Sequence, residues 1–128
     1  MNFNKSLLIF LLIYSANISL LSGEENKMKF LGCVLNVSKN KVDEDFIKYW
    51  NQVTPENEGK WVSVEKKRDE MNWEPLDLIY KYSLENNLPF KQHTFVWGMQ
   101  QPEWIKDLSV EEQKKEIDEW MQTFCKRY

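Results

Sequence analysis

Two short stretches of the chain carry polar side chains of a kind that packing does not require. The first, Asn51 to Trp61 (NQVTPENEGKW), presents Glu56, Asn57 and Lys60 beside Trp61. The second, His93 to Trp104 (HTFVWGMQQPEW), holds His93, Trp97 and Gln100, with Gly98 free to take an unusual backbone angle or admit a close ligand and Pro102 starting a turn that carries Trp104. A carboxylate, amides and an ammonium beside indoles suit a sugar, whose hydroxyls need directional partners and whose C–H face needs an aromatic plate. Each residue also has a plain structural reading. Glu56 and Lys60 could be a solvated pair worth almost nothing, and His93 a hydrogen-bonded strand residue. Spacing assigns Trp50, Trp73 and Trp120 to packing. Trp61, Trp97 and Trp104 remain as plates, the first and last equally suited to lying under the loops.

The elements that would hold these stretches alternate. Lys29 to Val37 (KFLGCVLNV) reads as a buried strand, with Gly32 marking close approach by another backbone. Asp43 can cap a short helix with Phe46, Ile47 and Trp50 on its apolar face, and Asn51-Gln52-Val53 is a very short second strand ended by Thr54-Pro55. Pro75 begins a helix with Leu76, Ile79, Tyr80 and Leu84 at helical spacing, and Asn86-Asn87 can close it in a left-handed turn. Pro89 to Trp97 reads as a third strand whose alternation places His93, Phe95 and Trp97 on one face. Ser109 and Glu112 form a capping box for a last helix with Ile117, Trp120, Met121, Phe124 and Tyr128 on one side and Glu111 to Lys115 as a solvent-side pair. Strand, helix, strand, helix, strand, helix predicts βα units and a parallel sheet.

Composition bounds the reading. A formal charge of -3 disfavours nucleic acid, and 42% hydrophobic with 14% aromatic residues suits a packed, globular chain. Residues 1–23 have a basic start, an apolar run and a small-residue exit, the grammar of a secretory signal peptide, leaving residues 24–128 as the mature part. The apolar run falls short of the ~20 residues a bilayer span needs, so no membrane attachment is expected after cleavage. An extracellular location would permit a Cys33–Cys125 disulfide, although two small buried apolar residues are an equal reading. Asn36-Val37-Ser38 is a glycosylation sequon.

Asn51 to Trp61 and His93 to Trp97 (HTFVW) closely resemble two signatures of family 10 glycoside hydrolases, in the right order and at the expected separation. Phe30-Leu31-Gly32 resembles that family's first strand, and Asn72-Trp73 through Asn87-Leu88 its second helical unit. The resemblance implies a (β/α)8 barrel, of which about the first three βα units would be present; a closed barrel takes about 250 residues. It implies endo-1,4-β-xylanase activity on xylan or xylo-oligosaccharides with retention, from an acid/base glutamate and a nucleophile glutamate. The Trp-Asp-Val-Val-Asn-Glu stretch that bears the acid/base does not occur in these 128 residues, nor does the stretch that bears the nucleophile, so no catalytic residue is expected here. By motif position Glu56, Asn57 and Lys60 resemble the residues that bind the second sugar on the non-reducing side of the cut, and His93, Trp97 and Gln100 those that hold the sugar next to it. Gly98-Met99-Gln100 stands where the family commonly has His-Ser-Gln, keeping the glutamine and losing an imidazole. No metal or cofactor is implied, and a complete enzyme is expected to be a monomer. The rival readings are a truncated sugar-binding protein that does not hydrolyse and an unrelated secreted structural protein on a small α/β scaffold.

Overall fold

The computed structural model describes residues 29–38 and 41–128. The expected leader lies outside them, and among the described residues no helix is long and apolar enough to cross a membrane. Two strands form a parallel pair, β1 (Gly32–Leu35) and β2 (Gln52–Pro55), with Gly32 opposite Gln52 and Leu35 opposite Pro55. At Gly32 the close approach is made by a side chain: a Cβ there would meet the end of the flexible Gln52 side chain, not a second backbone.

The third strand is the main departure. Val53 N–H donates to Pro89 O (2.9 Å) and Lys91 N–H donates to Val53 O (2.8 Å), which makes one parallel bridge at Phe90 and no more. The next rung would need an N–H from residue 55, and a proline has none. Beyond that point no ladder imposes the expected alternation. Phe95 is half-buried and meets the Phe124 ring edge-on at 4.9 Å, whereas His93 and Trp97 are exposed.

The connections follow the expected order. Asp43 accepts a hydrogen bond from Asp45 N–H at 2.9 Å and caps a 3-10 helix, Glu44–Lys48. A short helix α1 (Trp61–Val64), unforeseen in the sequence, follows β2, and α2 (Glu74–Glu85) carries proline in its first turn. Asn87, just past α2, adopts φ 52°, the left-handed turn anticipated for the asparagine pair. A second 3-10 helix, Glu103–Asp107, precedes α3 (Val110–Arg127). Both halves of the Ser109–Glu112 capping box form. Glu111 and Lys115 are not among the ion pairs of the described residues, and Met121 is 40% exposed, so the buried stripe of α3 is narrower than its spacing suggested.

Two clusters make the interior, and α2 joins them. Leu76 lies with Trp61, Val64, Ile105, Trp120 and Phe124, whereas Ile79 and Tyr82 lie with Leu35, Phe46 and Val53. The helix thereby fixes both polar loops to one frame, because the first cluster sits beneath α1 and the second against β1 and β2. Cys33 borders the second cluster and Cys125 is exposed; both thiols are free.

Candidate functional site

Lys60 and Gln100 come from loops 40 residues apart and meet at 2.8 Å, the ammonium donating to the glutamine Oε1. Gln100 Nε2 then donates to Asn57 Oδ1 at 3.2 Å. The Lys60 ammonium also stands 4.9 Å from the centre of the Trp97 ring, within cation–π range. Four of the six residues singled out in the sequence therefore share one rim. The backbone explains how. Pro55 ends β2, Lys60 N–H closes a turn on Asn57 O (3.0 Å), and Val62 N–H reaches Gln100 O (3.4 Å), so the start of α1 is tied to the far loop.

Lys60 is 5% exposed, and among the described residues it takes part in no ion pair. A buried ammonium has three donors to satisfy, and the described residues supply one neutral acceptor and one ring face. Trp97 keeps 46% of its surface open beside it. The arrangement can donate to a neutral polyhydroxylated ligand and pack one of its faces, the pairing that a sugar ring offers.

The other two predicted residues stand apart from this hydrogen-bonded group. Glu56 accepts from Asn36 Nδ2 at 2.9 Å, on the β1 side. His93 is exposed, and among the described residues no side-chain hydrogen bond links it to Lys60 or Gln100. Its neighbour Gln92, not singled out in the sequence, reaches across to donate to Gly59 O at 2.6 Å. A Cβ at Gly59 would lie 2.6 Å from Gln92 Oε1 and 3.1 Å from Pro55, so glycine lets this tie form directly before Lys60. Nothing in the spacing of Gln92 advertises that role.

The tryptophans divide cleanly. Trp61 is 1% exposed and stacks on Trp120 (6.0 Å, 7°), which stacks in turn on Trp73 (5.4 Å, 7°). Trp104 meets Trp61 edge-on at 5.8 Å. Both are packing residues, because both indole N–H groups are consumed by one residue: Trp61 Nε1 donates to Glu65 Oε2 (2.7 Å) and Trp104 Nε1 to Glu65 O (3.2 Å). Of the three plates considered, only Trp97 faces out. Glu65, missed in the sequence although its i,i+4 spacing from Trp61 is readable, also accepts from Asp69 N–H at 2.8 Å; burial pushes its carboxyl above the usual range against these hydrogen bonds. Glu116 on α3, also buried, is held by Arg68.

Residues 21–128 match the model of glycosyl hydrolase family 10. The chain belongs to this family. It is 51% identical over 100 residues to endo-1,4-beta-xylanase B of Cellvibrio japonicus (strain Ueda107), an alignment that covers 78% of this chain and 16% of that enzyme. The fold superposes on a psychrophilic glycoside hydrolase family 10 endo-beta-1,4-xylanase with a TM-score of 0.70 at 30% identity, covering 77% of this chain and 34% of that one. Xylanase 10B from Thermotoga petrophila RKU-1, solved in complex with xylobiose, gives a TM-score of 0.59 at 27% identity, covering 73% and 30%. These family 10 neighbours are (β/α)8 barrels, and the parallel β1–β2 pair with its helical connections is a partial α/β arrangement of that kind. The family 10 chain described here thus spans less than two thirds of the length of each of these relatives.

Proposed function

We propose that the protein carrying this chain is a secreted endo-1,4-β-xylanase that hydrolyses β-1,4-xylosidic bonds in xylan with retention, and that these residues bind the substrate on the non-reducing side of the cut. One observation carries the reading: Lys60 is buried with a single neutral acceptor among the described residues, against the open face of Trp97. A sugar hydroxyl completes the ammonium's hydrogen bonds without adding charge, and the ring's C–H face covers the indole. Asn57 and Lys60 then hold the second sugar from the cut, with Glu56 accepting from it, while His93, Trp97 and Gln100 hold the sugar at the cut. Binding spent on the remote sugar helps drive distortion of the reacting one.

Retaining hydrolysis needs two carboxylates about 5 Å apart across the scissile bond. In this reading they lie outside these 128 residues, and Glu56, assigned to the second sugar from the cut, replaces neither. The 128-residue chain alone should therefore release no reducing sugar from xylan. The protein with the remaining barrel units should, and the first product seen by proton NMR should be the β-anomer. Initial release of the α-anomer would refute retention, and absence of hydrolysis by the complete protein would refute the activity. Tight binding of xylotetraose by a complete protein that does not cleave it would favour a non-catalytic sugar-binding protein.

A further inference from the structure

The loop after β2 is held from one side by three consecutive residues at the end of β1. Leu35 O accepts from Glu56 N–H at 3.0 Å. Asn36 Nδ2 donates to Glu56 Oε2 at 2.9 Å, and Val37 N–H donates to Glu58 Oε1 at 2.7 Å. Glu58 Oε2 takes the Asn57 N–H at 3.0 Å, so the β1 end fixes the backbone of the rim as well as one of its carboxylates. We propose that Asn36 is a positioning residue that aims the Glu56 carboxylate at the remote sugar. The proposal rests on the reading of Glu56 as a sugar-binding group.

The chemistry favours a neutral amide in this role. A glutamate has three torsions and, when exposed, spreads over many rotamers. One hydrogen bond to Oε2 selects among them and leaves Oε1, which has no other protein donor among the described residues, to accept from a sugar hydroxyl. An arginine or lysine at residue 36 would compete with the sugar for both oxygens, and an aspartate would repel them. The Asn36 nitrogen is also the atom that a glycan would take at the Asn36-Val37-Ser38 sequon, so modification and this contact compete for one group.

The test uses the complete protein and two substrates, an aryl β-xylobioside that reaches the remote sugar position and an aryl β-xyloside that does not. In Asn36→Ala the ratio of their kcat/KM values should fall about fivefold, the scale of one ordinary hydrogen bond, since the amide acts on the sugar only through Glu56. Glu56→Ala should lower the same ratio, and adding Asn36→Ala to it should lower it no further, because the amide then has nothing to aim. Asn36→Asp supplies a readout that a purely structural role would not move. Relative to the unaltered protein at each pH, its ratio should recover on acidification, as one of the paired carboxylates takes a proton and becomes a donor. Additive losses, or no loss in Asn36→Ala while Glu56→Ala is impaired, would overturn the role of Asn36 and leave the sugar site standing. No loss in Glu56→Ala would overturn the reading of Glu56 and the proposal with it.

Discussion

Lys60 and Trp61 are adjacent in sequence and almost equally buried, yet they serve opposite sides of the same loop. Trp61 turns inward, into a stack with Trp120 and Trp73 around which three indole N–H groups find partners inside the protein: its own on Glu65, that of Trp104 on the Glu65 carbonyl, that of Trp120 on Phe95 O (2.9 Å). Lys60 turns outward, where an ammonium with three donors meets one amide oxygen and an exposed indole. Burial alone therefore does not distinguish core from site. At this loop the two neighbours differ in how far the protein itself consumes their hydrogen-bonding capacity: the Trp61 N–H has its one partner, the Lys60 ammonium one acceptor for three donors.

The two sides should break differently. Trp120→Ala removes the centre of the stack and should cost about 3–5 kcal/mol of unfolding free energy, read from denaturant unfolding of the complete protein. A loss much below that would mean the stack is not the support of the rim. Lys60→Met keeps the aliphatic stem and removes the charge; kcat/KM on xylotetraose should fall about ten- to hundredfold, with stability within about 1 kcal/mol of the unaltered protein. Equal damage to stability and activity would erase the distinction between the regions.

A smaller effect separates two carboxylates by pH. Arg127 pairs with Asp77, assisted by the Tyr128 hydroxyl, and holds its carboxyl below the ordinary 3.8. A folded-state value lower than the unfolded one stabilises above about pH 4 and is lost as pH falls through the folded value. Glu65 is shifted the other way, chiefly by burial, so its contribution is present below 4.5 and fades as pH rises through its raised folded value. Asp77→Asn should flatten the acid side of a melting-temperature profile and leave the difference between pH 6 and 8 as it was. Unchanged steepness below pH 4 would show that the Asp77 pair forms no tighter in the folded state than in the unfolded one.

Much of this division was legible in the sequence because it depends on local signals. The capping box, the asparagine turn after α2 and the proline that ends β2 each act within a few residues, and each is found as read. The polar rim was legible through its motifs, and Asn57, Lys60, Trp97 and Gln100 do converge. The third strand was misjudged for a reason that lies elsewhere in the chain: the missing N–H of Pro55 stops the ladder, whatever the alternation of residues 89–97 suggests. Trp61 and Trp104 could not be assigned from sequence, since their burial depends on distant segments meeting: Trp120 comes from α3, Glu65 beside Trp61 takes the Trp104 N–H, and Ile105 beside Trp104 joins the cluster around Trp61. The Gln92–Gly59 and Asn36–Glu56 contacts were silent for the same reason, spanning 33 and 20 residues.

The account turns on the claim that the open hydrogen-bonding capacity beside Trp97 is filled by substrate. A crystal structure of the complete protein with xylotriose tests this directly. The account predicts one sugar ring against the Trp97 face and a hydroxyl of that sugar or the next at about 2.7–3.1 Å from Lys60 Nζ, with the Asn57 and Gln100 amides turned toward the same sugars. Xylotriose bound elsewhere, with Lys60 still paired only to Gln100 and the face of Trp97 still open to water, would contradict it.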